Sequence, residues 1–209
     1  MTIRKEEIEE MLRLRHTPQV HDKLKNAVVA VIGLGGLGSN IAVQLCRCGI
    51  GELHLFDFDR VDLSNLNRQS YYVEDLGRLK TEALARQLKR INPYTVVKTT
   101  SVRLDEGNTQ RLLQGYKVII EAVDTAETKA MLANVILAEC PDTYLISASG
   151  MAGYGKSNNI RTKKIGEHFY ICGDFTQEAL PGRGLMAPRV ALCAAHEANL
   201  VLELLIDRL

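Results

Sequence analysis

The sequence lacks several features that mark particular classes of protein. No apolar run approaches the roughly 20 residues that a membrane-spanning helix needs. The charged amino terminus, MTIRKEEIEEMLRLR, contains no apolar stretch of the kind found in secretory signals. An excess of charge of one sign is also missing, because 26 basic and 25 acidic residues leave a formal charge of +1. This balance argues against a broad nucleic-acid or membrane surface. Together the absences predict a cytoplasmic protein.

Cysteines are few and scattered, at positions 46, 48, 140, 172 and 193. An odd number without regular spacing does not indicate a disulfide framework. In a reducing compartment these residues are expected to be free thiols. Internal repeats and low-complexity linkers are missing as well, so we predict that residues 1–209 form one domain.

Strands and helices alternate along most of the chain. The hydrophobic patterns predict strands over residues 28–32, 52–58, 95–102, 117–123 and 144–149. They predict helices over residues 40–48, 79–91, 104–113, 129–140 and 191–206. This order is typical of an α/β fold with a doubly wound, Rossmann-like and mostly parallel sheet.

The predicted domain has three parts. Residues 1–26 form a helical leader interrupted at Pro18, and residues 27–150 form the nucleotide-binding core. Residues 151–209 form a glycine-rich extension with a short strand or two, a loop and a closing helix.

A glycine-rich turn follows the first strand. In GLGGLGS, Gly33, Gly35 and Gly38 satisfy the pattern G-x-G-x-x-G between a strand and a helix. Glycines permit a tight turn and a close backbone approach, and the helix amino terminus attracts phosphate. The alternative is a glycine turn with a purely structural role. The flanking strand and helix favour a nucleotide-phosphate site.

Carboxylates end two of the predicted strands. Asp57, about 20 residues beyond the glycines, is placed to bind ribose hydroxyls. The alternative is that Asp57 and Asp59 are a solvated pair of carboxylates at the end of the strand. Asp124 ends the fourth strand, where a carboxylate facing bound phosphates holds Mg²⁺ or else caps the helix that begins near Ala126.

The stretch after the second strand, VDLSNLNRQ, is too rich in Asn and Ser for a stable helix interior. Asn65 and Gln69 offer amide hydrogen bonds, Arg68 offers a bidentate fork for phosphate, and Lys80 opens the next helix near the same edge. A nicotinamide dehydrogenase accounts equally well for the glycine turn and Asp57. It leaves Arg68, Gln69 and Lys80 without a role.

The motifs GLGGLGS, DFDRVDLSNLNRQ and GRLK, followed by a strand-terminal aspartate, resemble the ubiquitin-activating-enzyme-like adenylyltransferases of ThiF and MoeB type. The chain is most similar to the short ThiF sulfur-carrier adenylyltransferases. The resemblance implies an enzyme that uses ATP to adenylate the C-terminal glycine carboxylate of a small ubiquitin-like sulfur carrier ending in Gly-Gly. It implies pyrophosphate release, and a ThiS-like carrier of thiamine synthesis.

The resemblance also assigns roles to residues of this chain. Arg68, Lys80 and Asp124 are implied to be catalytic, with Asp124 holding Mg²⁺. The residues implied to bind ATP are Gly33, Gly35, Gly36, Gly38, Asp57, Ser64, Asn65, Arg68, Gln69, Lys80 and Thr125. The segment 151–209 is implied to face the carrier, with Lys163, Lys164 and Arg183 in its loop. A carboxylate nucleophile is already ionised at pH 7, so no general base is required.

Three family features are altered. Family members are homodimers that donate an amino-terminal arginine to the partner's ATP site, a role open here to Arg13 or Arg15, although the usual Arg-Gln pair is missing. Many relatives bind zinc through two C-x-x-C pairs, of which this chain retains only Cys172, so we expect no zinc. The loop before the last helix lacks the cysteine that forms covalent carrier adducts. We expect Cys172 to be a buried thiol and the reaction to be adenylation only.

Other functions remain open at this stage. As an alternative, the acceptor is a molybdopterin carrier, a peptide or a modified adenosine of a nucleic acid. The last would favour a basic face, which the charge of +1 does not suggest. An NAD-dependent oxidoreductase is a further alternative. A non-catalytic partner subunit is another alternative. The retention of the nucleotide-binding residues argues against it.

Overall fold

A computed structural model describes residues 3–176 and 184–209, and Arg183 lies outside the described residues. The helices are α1 (Lys5–His16), α2 (Pro18–Asn26), α3 (Gly36–Arg47), α4 (Lys80–Ile91), α5 (Glu106–Leu113), α6 (Ala126–Glu139) and α7 (Ala187–Asp207). The strands are β1 (Val28–Ile32), β2 (Glu52–Phe56), β3 (Val96–Thr100), β4 (Val118–Glu121), β5 (Tyr144–Ala148), β6 (Arg161–Lys164) and β7 (Phe169–Gly173).

The strands form one sheet in the order β3-β2-β1-β4-β5-β7-β6. All neighbouring pairs are parallel except β6 and β7. Because β1 and β4 are buried on both faces, their sequences are continuous apolar runs rather than alternating ones. The predicted doubly wound, mostly parallel sheet is confirmed.

Alternate residues of β1 face opposite layers. Val29 and Val31 belong to a core that α3, α4 and α7 cover. Ala30 and Ile32 face a second core that α5 and α6 cover. This arrangement places the carboxyl ends of β1, β2, β4 and β5 along one edge of the sheet, where open α/β sheets bind ligands.

Three helices begin earlier than predicted. Helix α3 starts at Gly36 rather than at residue 40, because the glycine turn itself supplies the first helical turn. Helix α6 starts at Ala126 rather than at residue 129. Helix α7 starts at Ala187 rather than at residue 191, because a proline is compatible with the first turn of a helix.

The leader forms α1 and α2, which meet at Pro18 as predicted. Arg13 of α1 pairs with Asp22 of α2 at 2.5 Å. No helix within residues 3–176 and 184–209 is both long and apolar enough to cross a membrane.

A buried acidic residue of α7 lacks a polar partner among the described residues. Glu197 of α7 is fully buried, and neither carboxyl oxygen has a hydrogen-bond partner among the described residues. Burial raises the pKa of Glu197 well above its usual range, against the opposing charge of Lys129. The folded protein therefore retains this proton at pH values where the unfolded chain has lost it, and its stability falls as pH rises above about 4.5.

Replacing Glu197 with glutamine is expected to raise the free energy of unfolding at pH 8 relative to pH 5, by about 2 kcal/mol compared with wild type. The amide does not titrate, and its own desolvation cost is the same at both pH values. Urea unfolding at the two pH values measures the difference. Glu203→Gln on the exposed face of α7 is the matched control and should leave the pH dependence unchanged. Parallel pH profiles for wild type and Glu197→Gln would contradict the prediction.

Candidate active site

The glycine turn joins β1 to α3 by direct backbone packing. Gly33 has a φ of +82°, and a Cβ atom there would lie 2.8 Å from the backbone of Ala122 at the end of β4. A Cβ on Gly38 would overlap the carbonyl oxygen of Gly33. Only glycine therefore fits at either position, and the amino terminus of α3 opens toward the edge of the sheet. Its first-turn N–H groups lack helical partners and attract an anion.

Asp57 connects β2 to this turn. One carboxylate oxygen accepts a 2.6 Å hydrogen bond from the N–H of Leu34, and the other accepts a 2.7 Å bond from the N–H of Asp59. Burial raises the pKa of Asp57, and the charge of Lys80 opposes that shift. Each oxygen keeps acceptor capacity beyond these bonds. The carboxylate thus lies beside the phosphate turn, and its predicted role at the ribose stays a prediction.

Lys80 is buried, and its ammonium lies 2.8 Å from Asp59. The backbone N–H of Lys80 also donates to the carbonyl of Asp59, at 2.9 Å. The ammonium group of Lys80 is therefore paired with Asp59, three residues beyond β2. Contact between Lys80 and a phosphate stays a prediction.

The loop after β2 is held in shape by its own polar side chains. Asp62 caps a short 3₁₀ turn, Leu63–Asn65, and accepts a 2.7 Å hydrogen bond from the Ser64 hydroxyl. The Asn65 side chain accepts a bond from the N–H of Asp62 at 3.1 Å. The prediction that this stretch is a loop is confirmed, whereas contacts of Ser64 and Asn65 with ATP stay predictions.

Arg68 extends from this loop across the start of α3. A Cβ atom on Gly36 would lie 3.5 Å from the Cγ of Arg68, so the arginine stem covers the glycine turn. Its guanidinium donates to the Ser64 carbonyl at 3.1 Å and to the Asn67 side chain at 2.8 Å. Because both partners are neutral and no described carboxylate pairs with Arg68, its positive charge is available to an anion beside the helix terminus.

Gln69 lies behind Arg68 against the same turn. The side chain is mostly buried, and its Oε1 atom has no hydrogen-bond partner among the described residues. Its Nε2 atom would lie 3.9 Å from a Cβ on Gly35. A buried unpaired amide facing the glycine turn is consistent with the predicted nucleotide contact, which no contact in the structure tests.

Several residues that tie the loop to α3 carry no motif. The Asn40 side chain donates to the carbonyls of Gly36 at 2.6 Å and Arg68 at 3.1 Å. The Tyr71 hydroxyl donates to the Leu34 carbonyl at 2.9 Å. These bonds fix Arg68 over the glycine turn. Sequence reasoning missed Asn40 and Tyr71, because each is an ordinary residue type at an unremarkable local position.

Asp124 follows β4, whose end is packed against Gly33. Its exposed carboxylate makes no hydrogen bond or ion pair with any residue that the structure describes. The alternative reading as a helix cap is wrong, because Thr125 occupies the N-cap position of α6 and its hydroxyl donates to Thr128 at 2.7 Å. An exposed carboxylate just beyond the strand end that packs on the glycine turn fits Mg²⁺, which uses one or two carboxylates together with substrate phosphates. Within the described residues, no three His, Cys, Asp or Glu side chains cluster as a preformed metal site.

A buried ion pair supports the segment that carries Asp124. Glu121 ends β4 and is almost fully buried, and the Nζ of Lys129 lies 3.0 and 3.1 Å from its two oxygens. Glu121 also accepts from the N–H of Val123 at 2.8 Å and from the Ser147 hydroxyl. The network fixes the backbone immediately before Asp124. It was not predicted, because Lys129 and Ser147 lie 8 and 26 residues from Glu121 in the sequence.

Replacing Lys129 with methionine is expected to lower the free energy of unfolding by about 3 kcal/mol, because it leaves the buried Glu121 carboxylate without a counter-charge. Urea unfolding measures the loss. Lys117→Met is the matched control, since Lys117 is exposed and lies 4.0 Å from Asp142, where an ion pair contributes little. Equal stabilities for the two variants would contradict a supporting role of the network.

Cys172 is fully buried in β7. Burial, reinforced by the nearby Glu197, raises the pKa of this thiol to about 12. The expected buried thiol is confirmed, and a protonated thiol is a poor nucleophile and a poor metal ligand. The expectation that the protein holds no zinc stays a prediction.

Comparison with known proteins agrees with this site. The ThiF family model matches residues 10–208. The molybdopterin-synthase adenylyltransferase of Salmonella typhimurium is 32% identical over 190 residues, which cover 88% of this chain and 75% of the relative. The adenylyltransferase and sulfurtransferase UBA4 of Vanderwaltozyma polyspora is 37% identical over 145 residues, which cover 69% of this chain and 33% of that relative. The chain therefore spans about a third of the length of the yeast protein.

A solved structure shares the fold across the whole chain. The tRNA N6-threonylcarbamoyladenosine dehydratase of E. coli, in complex with ATP, has a TM-score of 0.87 and 20% sequence identity, with 100% of this chain and 98% of that chain covered. At that identity the likeness concerns the fold alone. The match to the family model over residues 10–208, together with the identity to the Salmonella enzyme, shows that the chain belongs to the ThiF family.

Proposed function

We propose that the protein transfers the adenylyl group of ATP to the C-terminal glycine carboxylate of a small ubiquitin-like sulfur carrier, and that the carrier is the ThiS-like protein of thiamine synthesis. One observation carries the proposal. The stem of Arg68 lies over the glycine turn, the turn packs against the residues just before Asp124, and neither charged side chain forms an ion pair with a described residue. A nicotinamide dehydrogenase has no use for Arg68 and Asp124.

The chemistry follows from these groups. A carboxylate oxygen of the carrier attacks the α-phosphorus of ATP, the bond to the β-phosphate oxygen breaks, and pyrophosphate leaves with the electron pair. Negative charge gathers on the phosphorus oxygens, where Arg68 and the N–H groups at the start of α3 stabilise it. Asp124 would hold Mg²⁺, which supplies further charge neutralisation when bound. The nucleophile is ionised at pH 7, so no proton has to be removed.

The same chemistry accommodates a molybdopterin carrier or a peptide with a free carboxylate.

We propose a homodimer in which α1 contributes an arginine to the partner's site. Arg15 is better suited than Arg13, because Arg13 pairs with Asp22 whereas Arg15 is exposed and makes no ion pair with a described residue.

A second candidate acceptor is a tRNA carrying a threonylcarbamoyl group, which also ends in a carboxylate. The edge strand β6 favours it, because Arg161, Lys163 and Lys164 are exposed there and form no ion pair with a described residue. The charge of the whole chain conceals this local basic surface. A nucleic-acid acceptor is thus the second choice.

Exchange of labelled pyrophosphate into ATP separates these acceptors. The assay compares the purified thiamine carrier, the molybdopterin carrier, each carrier without its terminal Gly-Gly, and threonylcarbamoyl-modified tRNA. Exchange that requires the thiamine carrier with its Gly-Gly end is the expected result. Exchange with modified tRNA alone would instead identify the tRNA, the second candidate, as the acceptor. Binding of NAD without exchange on any acceptor would overturn the adenylation proposal.

A further inference from the structure

Residues 184–186, directly before α7, are bonded to the loop that follows β2. The Nδ2 atom of Asn67 donates to the carbonyl of Leu185 at 3.0 Å. The Oδ1 atom of the same amide accepts from Nη1 of Arg68 at 2.8 Å. One side chain, to which the sequence assigned no role, therefore joins the arginine of the proposed ATP site to the extension 151–209.

The two partners of Asn67 determine which way its amide faces. A guanidinium can only donate hydrogen bonds, and a carbonyl oxygen can only accept them. The amide oxygen therefore faces Arg68 and the amide nitrogen faces Leu185, since the reversed orientation would break both bonds. Because an amide is neutral, it holds the guanidinium without neutralising its charge, as a carboxylate would. The charge of Arg68 thus stays available to a phosphate.

The extension also approaches the stem of Arg68. A Cβ atom on Gly36 would lie 3.5 Å from Cγ of Arg68 and 2.9 Å from Cγ1 of Val190, near the start of α7. The absent side chain at Gly36 thus leaves the space in which α7 and the arginine stem both reach the glycine turn. The extension lies beside the stem of Arg68 and is tied to its guanidinium through Asn67.

A buried ion pair anchors this part of the extension. Arg189 in the first turn of α7 pairs with Asp174, and its Nη1 atom also donates to the carbonyl of Gly155 at 2.5 Å. The N–H of Gly153 donates to the carbonyl of Gly184 at 2.9 Å. These bonds hold the segment that supplies the acceptor carbonyl for the amide, so the amide binds a fixed point of the extension.

We infer that Asn67 is a positioning residue for Arg68, set by the segment before α7. The inference rests on the proposed function, in which Arg68 stabilises negative charge on the α-phosphate. In this role the amide acts through the arginine and not on the nucleotide. Without it, Arg68 keeps only the Ser64 carbonyl of its two side-chain partners among the described residues. The charge then remains, but its direction is no longer fixed.

A double-mutant cycle in pyrophosphate exchange with the thiamine carrier tests this role. Asn67→Ala is expected to slow exchange about tenfold in the wild-type background, in line with the loss of a hydrogen bond to a charged group. In the Arg68→Ala background it should slow exchange less than about twofold, because no guanidinium is left to position. Equal slowing in both backgrounds would overturn the inference.

Asn67→Asp tests the requirement for a neutral amide. The carboxylate has no N–H to donate to Leu185, and it pairs with the charge of Arg68. Exchange by this variant should therefore be no faster than exchange by Asn67→Ala. Wild-type exchange in Asn67→Asp would contradict the role assigned to the amide.

Asn108 is the matched control for a purely structural effect. Its side chain also makes one bond of each kind, accepting from the N–H of Asp105 at 3.1 Å and donating to the carbonyl of Arg103 at 3.0 Å. It lies in α5, on the face of the sheet away from α3 and α7. Asn108→Ala should lower the free energy of unfolding at least as much as Asn67→Ala and leave exchange unchanged. Slower exchange in proportion to the lost stability would assign the effect of Asn67 to folding and overturn the inference.

The mobility of Arg68 separates this inference from the proposed function. Relaxation of the ¹⁵N-labelled Nε–H group of Arg68 in the full-length protein, measured without ATP or carrier, gives its order parameter. Asn67→Ala is expected to lower that order parameter by about a third, from a restrained to a flexible value, and Asn108→Ala should not change it. An unchanged order parameter in Asn67→Ala would overturn the inference. If no acceptor supports exchange, the adenylation proposal fails and the order parameter alone decides whether Asn67 holds the arginine.

Discussion

Replacing Gly38 with alanine is expected to lower the free energy of unfolding by about 3 kcal/mol or more and to abolish ATP binding. The new methyl group would overlap the Gly33 carbonyl oxygen and lie 3.2 Å from Cγ1 of Val31. Neither obstacle is the end of a flexible side chain, so α3 has to move away from β1. The movement displaces the helix amino terminus from the phosphate and strains the bonds of Leu34 to Asp57 and Tyr71.

Urea unfolding and calorimetric titration with ATP measure the two effects. Gly107→Ala is the matched control, because Gly107 lies in the first turn of α5 and its nearest neighbour, Oδ1 of Asp105, would be 3.4 Å from the new carbon. That variant should gain stability or leave it unchanged, since alanine is the better helix former by about 1 kcal/mol. A free energy of unfolding for Gly38→Ala within about 0.5 kcal/mol of wild type would contradict the prediction, because the close packing of β1 on α3 would then contribute little to stability.

The sheet could be predicted from the sequence because its buried strands are continuous apolar runs. The strand β1 has the predicted limits, Val28–Ile32, where a β-branched run ends at a glycine. The strands β2, β3, β4 and β5 are shorter than predicted, since their sequence patterns continue into loops that leave the sheet. The start of α3 was missed because glycine has a poor helix propensity, which tertiary packing overrides here.

The residue types of the site could be predicted from the sequence, but the ion pairs between its elements could not. Arg68 and Asp124 stand next to strong local signals, a polar loop and a strand end, so their edge of the sheet follows from topology. The ion pairs of Lys80 with Asp59 and of Lys129 with Glu121 depend on how separate elements dock. No local pattern encodes such contacts.

Replacing Arg68 with alanine is expected to slow pyrophosphate exchange by about 10²–10³-fold, the effect of removing one charge-stabilising donor from a transition state. Among the described residues, the Arg68 side chain donates only to the Ser64 carbonyl and the Asn67 side chain, both in its own loop. The fold therefore loses little, and the free energy of unfolding should change by less than about 1 kcal/mol. Exchange rates at saturating ATP, measured alongside urea unfolding, separate the two effects.

Arg68→Lys and Arg78→Ala make the comparison specific. Lysine keeps the charge but loses the planar fork, so it should recover part of the rate without restoring it. Arg78 follows the same loop and is exposed, and within the part of the chain that the structure describes its side chain bonds only to the Glu74 carbonyl, at 3.4 Å. Its removal should leave exchange unchanged. If Arg68→Ala instead raises KM for ATP about tenfold at an unchanged kcat, the arginine binds the ground state and transition state equally. The developing charge on the α-phosphate would then have to be met by the α3 terminus and the groups around Asp124.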